Sequence, residues 1–143
     1  MPFQSYNRFA IGEKPIVNYA AKDVVLGFQF DIRYPSYRGT FLSCIESLEV
    51  AVDGEEIPRQ DLLFELNGKQ FLISELKDLF KEYWFALDYA TLKVRRPGGL
   101  PAGSAHKIEL RMKHRIPYTG YFGQYLVLDA DEERTLVVRE EKE

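Results

Sequence analysis

His106-Lys107-Ile108-Glu109-Leu110-Arg111-Met112-Lys113-His114-Arg115-Ile116 decides the fold class. Ile108, Leu110, Met112 and Ile116 fall on one side of an extended chain, and Lys107, Glu109, Arg111, Lys113 and Arg115 on the other. A period of two sustained over this length is a strand with one face in a core and the other in water or a polar interface.

Working outward, residues 24–34 (VVLGFQFDIRY) repeat the pattern, with Phe28, Phe30, Ile32 and Tyr34 on one side and Gln29, Asp31 and Arg33 on the other. Residues 37–42 read as extended, and Leu48, Val50 and Val52 alternate into Asp53-Gly54. Leu62, Phe64 and Leu66 alternate into Asn67-Gly68, with residues 71–73 returning. Asp-Gly and Asn-Gly between alternating runs predict hairpins, because these residues tolerate the positive φ of a type I′ turn. A short helix is predicted from an N-cap at Ser74 through Leu76, Leu79 and Phe80. Residues 90–96 form a further strand closed by Pro97-Gly98-Gly99, and residues 125–128 and 135–138 flank an acidic turn. The expected architecture is all-β, an antiparallel β-sandwich or jelly-roll-like barrel with one short helix. It occupies a single domain over 1–143, with 1–15 as an N-terminal arm and 139–143 as a charged tail.

Composition supports one packed domain. Hydrophobic residues make up 45% of the 143 residues and charged residues 29%, which excludes a disordered chain. A formal charge of -3 gives no electrostatic surplus for nucleic acid. Cys44 is the single cysteine, so an internal disulfide is excluded. With no apolar leader and no membrane-length apolar run, the expected location is cytoplasmic, with neither nucleic acid nor membrane as partner.

The chemistry-bearing residues are few. His106 and His114 lie eight positions apart on one strand, roughly 26 Å at about 3.3 Å per residue, and cannot share a metal within it. No cofactor or metal is expected in this chain, and no catalytic residue is assigned. Nucleophile-elbow, P-loop and dinucleotide patterns are absent. Cys44 reads as a small buried hydrophobe and Trp84 as core. Two clusters are denser. Tyr34, Tyr37 and Arg38 surround Pro35 at a strand end, where rigid aromatic faces and a permanent cation suit a substrate-pocket edge. The competing account has both tyrosines in the core and Arg38 paired with Asp31 or Glu46. Tyr118, Tyr121, Phe122 and Tyr125 gather around Gly120 and Gly123, a composition that suits a subunit interface.

The order and spacing of four segments resemble the small β subunit of bacterial C-glycoside deglycosidases. These are residues 27–30 (GFQF), 34–39 (YPSYRG), 52–58 (VDGEEIP) and 97–100 (PGGL) leading to His106. Gly103-Ser104-Ala105-His106 is one residue longer than the G-x-H of that family. The resemblance implies a hetero-oligomer with a larger, TIM-barrel-like α subunit that carries a divalent metal, manganese. It also implies a 3-oxo-C-glycoside substrate cleaved at its C–C bond by β-elimination, a carbon–carbon lyase reaction in which this chain alone is inactive. A free-standing carbohydrate-binding module and a purely structural assembly subunit are the alternatives.

Overall fold

The computed structural model describes residues 10–34, 39–85, 88–116, 126–129 and 131–139. Twelve strands among the described residues form two antiparallel five-stranded sheets and a short ribbon. The first sheet runs in the order β1 (Val17–Ala21), β2 (Val24–Arg33), β9 (Tyr89–Arg95), β6 (Leu62–Leu66), β7 (Lys69–Leu72). The second is organised by the long strand β10 (Ala105–Ile116). On one side β10 pairs with β4 (Ile45–Val52), and β4 in turn with β5 (Glu55–Glu56). On its other side β10 pairs first with β12 (Glu132–Val137) and then with β11 (Leu126–Asp129). The ribbon joins β3 (Thr40–Phe41) to β8 (Tyr83–Trp84).

The alternation read from the sequence is what closes the two layers. Phe28, Phe30 and Ile32 of β2 and Leu62, Phe64 and Leu66 of β6 point inward from one sheet. Val50 and Val52 of β4 and Ile108, Leu110 and Met112 of β10 point inward from the other and join the same cluster. Each fully buried apolar side chain contributes roughly 1.5–3 kcal/mol relative to leaving it in water. The sandwich expected from the period-two pattern is therefore the observed fold.

Both Gly-containing hairpins form as predicted, with φ of 53° and 85° at Asp53-Gly54 and 55° and 80° at Asn67-Gly68. The β1–β2 hairpin places Lys22 and Asp23 at φ 50° and 71°, so a pair without glycine makes the same left-handed excursion. Gly27 is required by close approach: a Cβ there would sit 1.9 Å from the Val94 carbonyl oxygen, beneath the Tyr19 hydroxyl.

One expectation is revised. The predicted helix is a 3₁₀ turn over Ile73–Asp78, and Ser74 lies inside it instead of capping it. The backbone N–H of Leu72 donates to Glu75 Oε1 at 2.7 Å, so the turn is fastened by its acid and not by the serine hydroxyl. The chain just ahead of β1 contributes to the core. Ala10, Ile11 and Ile16 are fully buried, Ile11 bridges Ile32, and Ile16 bridges Val138 of the other sheet. Arg139 donates its backbone N–H to Ile16 O at 2.7 Å, and residues 140–143 lie outside the described residues.

Candidate functional site

At one end of the sandwich, β2 runs out into Tyr34 with its inward parity intact. Tyr34 is 3% exposed, and its hydroxyl shares a 2.7 Å hydrogen bond with Nδ1 of the fully buried His114. The parity that buries Ile108, Leu110 and Met112 also turns His114 inward, so β10 presents an imidazole to the core at its last turn of pleat. The Tyr34 ring lies 4.9 Å edge-on from the His114 ring and 5.5 Å from Trp84, which meets Phe64 edge-on at 5.3 Å. Trp84 is fully buried, as its sequence context suggested, and donates its indole N–H to Asp88 O at 3.0 Å.

The Tyr34 ring packs into the core of this chain, against Trp84 and His114. Its strand parity already carried that signal. Tyr37 and Arg38, and likewise Tyr118, Tyr121, Phe122 and Tyr125, lie outside the described residues. In sequence, residues 35–38 follow Tyr34 directly and residues 117–125 begin three positions after His114. The Tyr34–His114 bond therefore ties together the points from which both segments depart.

Beside these departure points stands an aromatic surface that the sequence reading did not single out. Phe41 and Phe85 are 41% and 58% exposed, and Tyr83 meets both edge-on, at centroid distances of 5.0 Å and 4.8 Å. Gly39 makes the ribbon possible: a Cβ there would lie 2.3 Å from Trp84 O and 2.8 Å from the Tyr83 ring. The available signal was the alternation of residues 83–85, which turns Tyr83 and Phe85 outward once Trp84 is inside. Nearby, Arg115 pairs with Glu46 and donates to Ser43 O at 3.2 Å, above the buried Cys44.

The opposite end of β10 holds a different constellation, assembled across the Asp53-Gly54 hairpin. His106 Nδ1 lies 2.6 Å from Asp53 Oδ2, Ser104 Oγ lies 2.8 Å from His106 Nε2, and Asp53 Oδ1 accepts the Lys107 backbone N–H at 2.9 Å. The Asp53 carboxyl is held below the usual aspartate range, first by the His106 hydrogen bond and then by the Lys107 N–H. The atoms match a Ser-His-Asp triad, but the proton inventory does not. Ser104 donates its single hydroxyl proton to Pro101 O at 2.5 Å, so that proton is directed away from His106 Nε2. The backbone N–H groups of Gly103 and Ser104 are spent on Val138 O and Pro101 O, leaving neither for an oxyanion. This cluster fastens the hairpin to the start of β10.

Among the described residues, no three His, Cys, Asp or Glu side chains are grouped so as to hold a metal ion. Among the same residues, no helix is long and apolar enough to cross a membrane.

Residues 6–118 match the family model described as C-glycoside deglycosidase beta subunit. A C-glycoside deglycosidase beta subunit of Eubacterium cellulosolvens is 39% identical over 79 residues, covering 55% of this chain and 54% of that protein. A 3'-dehydrocarminate deglycosidase beta subunit of a Microbacterium species is 34% identical over 114 residues, covering 80% and 85%. A C-glycoside deglycosidase beta subunit of Microbacterium trichothecenolyticum is 33% identical over 88 residues, covering 62% and 66%. The match thus spans about half the length of the Eubacterium protein and most of the Microbacterium species protein.

Proposed function

The chain belongs to the C-glycoside deglycosidase beta subunit family, and from that premise we propose that it is the small subunit of a heteromeric enzyme that releases the aglycone of a 3-oxo-C-glycoside. The observation that carries this reading is the match over residues 6–118 together with relatives named as beta subunits of deglycosidases.

The chemistry of the substrate explains the division of labour. A C-glycosidic carbon has no lone pair to protonate, so acid-assisted hydrolysis has no foothold. A ketone at C3 acidifies the C2 proton. A base removes that proton, the electron pair forms the C1–C2 double bond, and the C1–aglycone bond breaks with the leaving carbon taking up a proton. The base and the divalent metal belong, in this reading, to a larger TIM-barrel-like α subunit, and no step is assigned to a metal on this chain.

The role of this chain is to present the end of the sandwich at Tyr34 and His114 to that subunit. Tyr37 and Arg38 then border the aglycone, where an aromatic face stacks and a guanidinium offsets phenolate charge, and Tyr118, Tyr121, Phe122 and Tyr125 form the seam. Co-expression with the larger subunit followed by affinity purification and native mass determination tests the reading. A complex containing both chains supports it, and a monomeric chain that never co-purifies overturns it.

A further inference from the structure

The two glycine-bearing hairpin tips share a backbone and differ in chemistry. Asp53-Gly54 and Asn67-Gly68 are both exposed, both run at positive φ, and a Cβ built on either glycine would meet nothing within 4 Å. The Asp53 carboxyl is held at both oxygens: Oδ2 lies 2.6 Å from His106 Nδ1, and Oδ1 accepts the Lys107 N–H at 2.9 Å. The Asn67 amide has one long contact, Nδ2 to the Tyr83 carbonyl oxygen at 3.5 Å. The β6–β7 ladder closes at Leu66 and Lys69, which leaves the Gly68 N–H beyond it. Asn18, the other asparagine among the described residues, donates to Leu100 O at 2.8 Å, accepts the Leu100 N–H at 3.0 Å and precedes the bulky Tyr19.

We propose that Asn67 is a site of spontaneous deamidation in the folded chain, and that the hydrogen bonds from His106 and Lys107 protect Asp53 in the sister turn from the equivalent rearrangement. A solvent base removes the Gly68 N–H proton and the backbone nitrogen attacks Asn67 Cγ. The N–Cγ bond forms, the Cγ–Nδ2 bond breaks, and Nδ2 takes a proton from water and leaves as ammonia. Water then opens the cyclic imide at either carbonyl, giving aspartate or isoaspartate with no change of oxidation state. The attack is intramolecular, no side chain shields the glycine nitrogen, and the open tip lets the backbone rotate into the ring geometry. Ring closure at Asp53 must instead expel an oxygen, which requires the protonated acid, and its two hydrogen bonds favour the carboxylate. Deamidation replaces the donor facing Tyr83 O with an anion. The isoaspartate form also adds a backbone carbon to the turn that sets the β6–β7 register.

The test holds the purified full chain at mildly alkaline pH, folded and, in parallel, unfolded in guanidinium chloride. Peptide mapping by mass spectrometry with enzymatic isoaspartate labelling follows each site. In the folded chain Asn67 is expected to convert to both products at a rate within about tenfold of the unfolded chain, while Asn18 stays intact. A second incubation, at mildly acidic pH, compares the wild type with His106→Ala, which is expected to accumulate isoaspartate at Asp53 several-fold faster. A folded chain that keeps Asn67 intact while the unfolded chain converts overturns the Asn67 assignment. Equal isoaspartate at Asp53 in wild type and His106→Ala overturns the protection.

Discussion

Tyr34 and His114 meet in the core through a 2.7 Å bond between the phenol oxygen and Nδ1, joining the end of β2 in one sheet to the end of β10 in the other. They stand 80 positions apart in the chain, and their bond sits where the chain departs toward the segments proposed for the aglycone border and the subunit seam. Tyr34→Phe keeps the ring packing against Trp84 and deletes only the hydroxyl. It should cost about 1–3 kcal/mol, because a buried imidazole nitrogen loses a hydrogen bond. Urea unfolding followed by tryptophan fluorescence reads this out, and an unchanged midpoint would remove the bond from the account of stability.

Gly27 of β2 is the register partner of Arg95 of β9. In Gly27→Ala, the new Cβ would meet the Val94 carbonyl oxygen at 1.9 Å, a backbone atom that no side-chain rotation can move aside. The strands must separate locally, and a loss of at least about 2 kcal/mol is expected. A melting temperature equal to wild type would show that this sheet yields more easily than its geometry indicates.

Asp53 links stability to pH. A carboxyl held below its usual range binds its proton less readily in the folded chain than in the unfolded one. Its contribution is therefore present above the ordinary aspartate range and lost as pH falls through the lowered value. Asp53→Asn tolerates the left-handed backbone of the turn, where φ is 53°, and removes this titration. The variant should show a shallower loss of stability between neutral pH and the acid limb. Because the Asp53 side chain is 52% exposed, the change at neutral pH should stay below about 1 kcal/mol. Parallel acid-unfolding curves for the two proteins would contradict the assignment.

Glu132 behaves in the opposite sense. Burial raises its carboxyl above the usual glutamate range, opposed by the backbone N–H groups of Ile11 and Ala10. Stability contributed by this raised group is complete below the ordinary glutamate range and falls as pH rises through the raised value. Glu132→Gln keeps an oxygen for the Ile11 N–H, which now donates at 3.0 Å, and should remove that decline. Calorimetric melts across the mildly acidic range check it, with a persisting decline as the contrary result.

How far the sequence discloses this molecule follows from the range of each interaction. Period-two alternation depends on neighbours two residues apart, so the strands at 24–34, 62–66 and 106–116 could be read directly. Asp53-Gly54 and Asn67-Gly68 announced their turns because their types suit positive φ. The Lys22-Asp23 turn was silent, since Lys22 lacks that preference and no glycine follows Asp23, so tertiary pairing imposes the conformation. The six-residue turn at Ile73–Asp78 was taken for a helix because apolar spacing over so short a run does not separate 3₁₀ from α. The inward turn of His114 was available from its parity with Met112. The Asp53–His106–Ser104 chain was not, because its central bond joins residues 53 apart whose approach depends on the register of β4 with β10.

The most direct test of the proposed function is aglycone release from a 3-oxo-C-glycoside, measured with this chain alone, the larger subunit alone, and the two combined. The account predicts release by the combination, at a rate lowered by Arg38→Ala, and none by this chain alone. Release by this chain in isolation, or a rate for the larger subunit that this chain leaves unchanged, would contradict it.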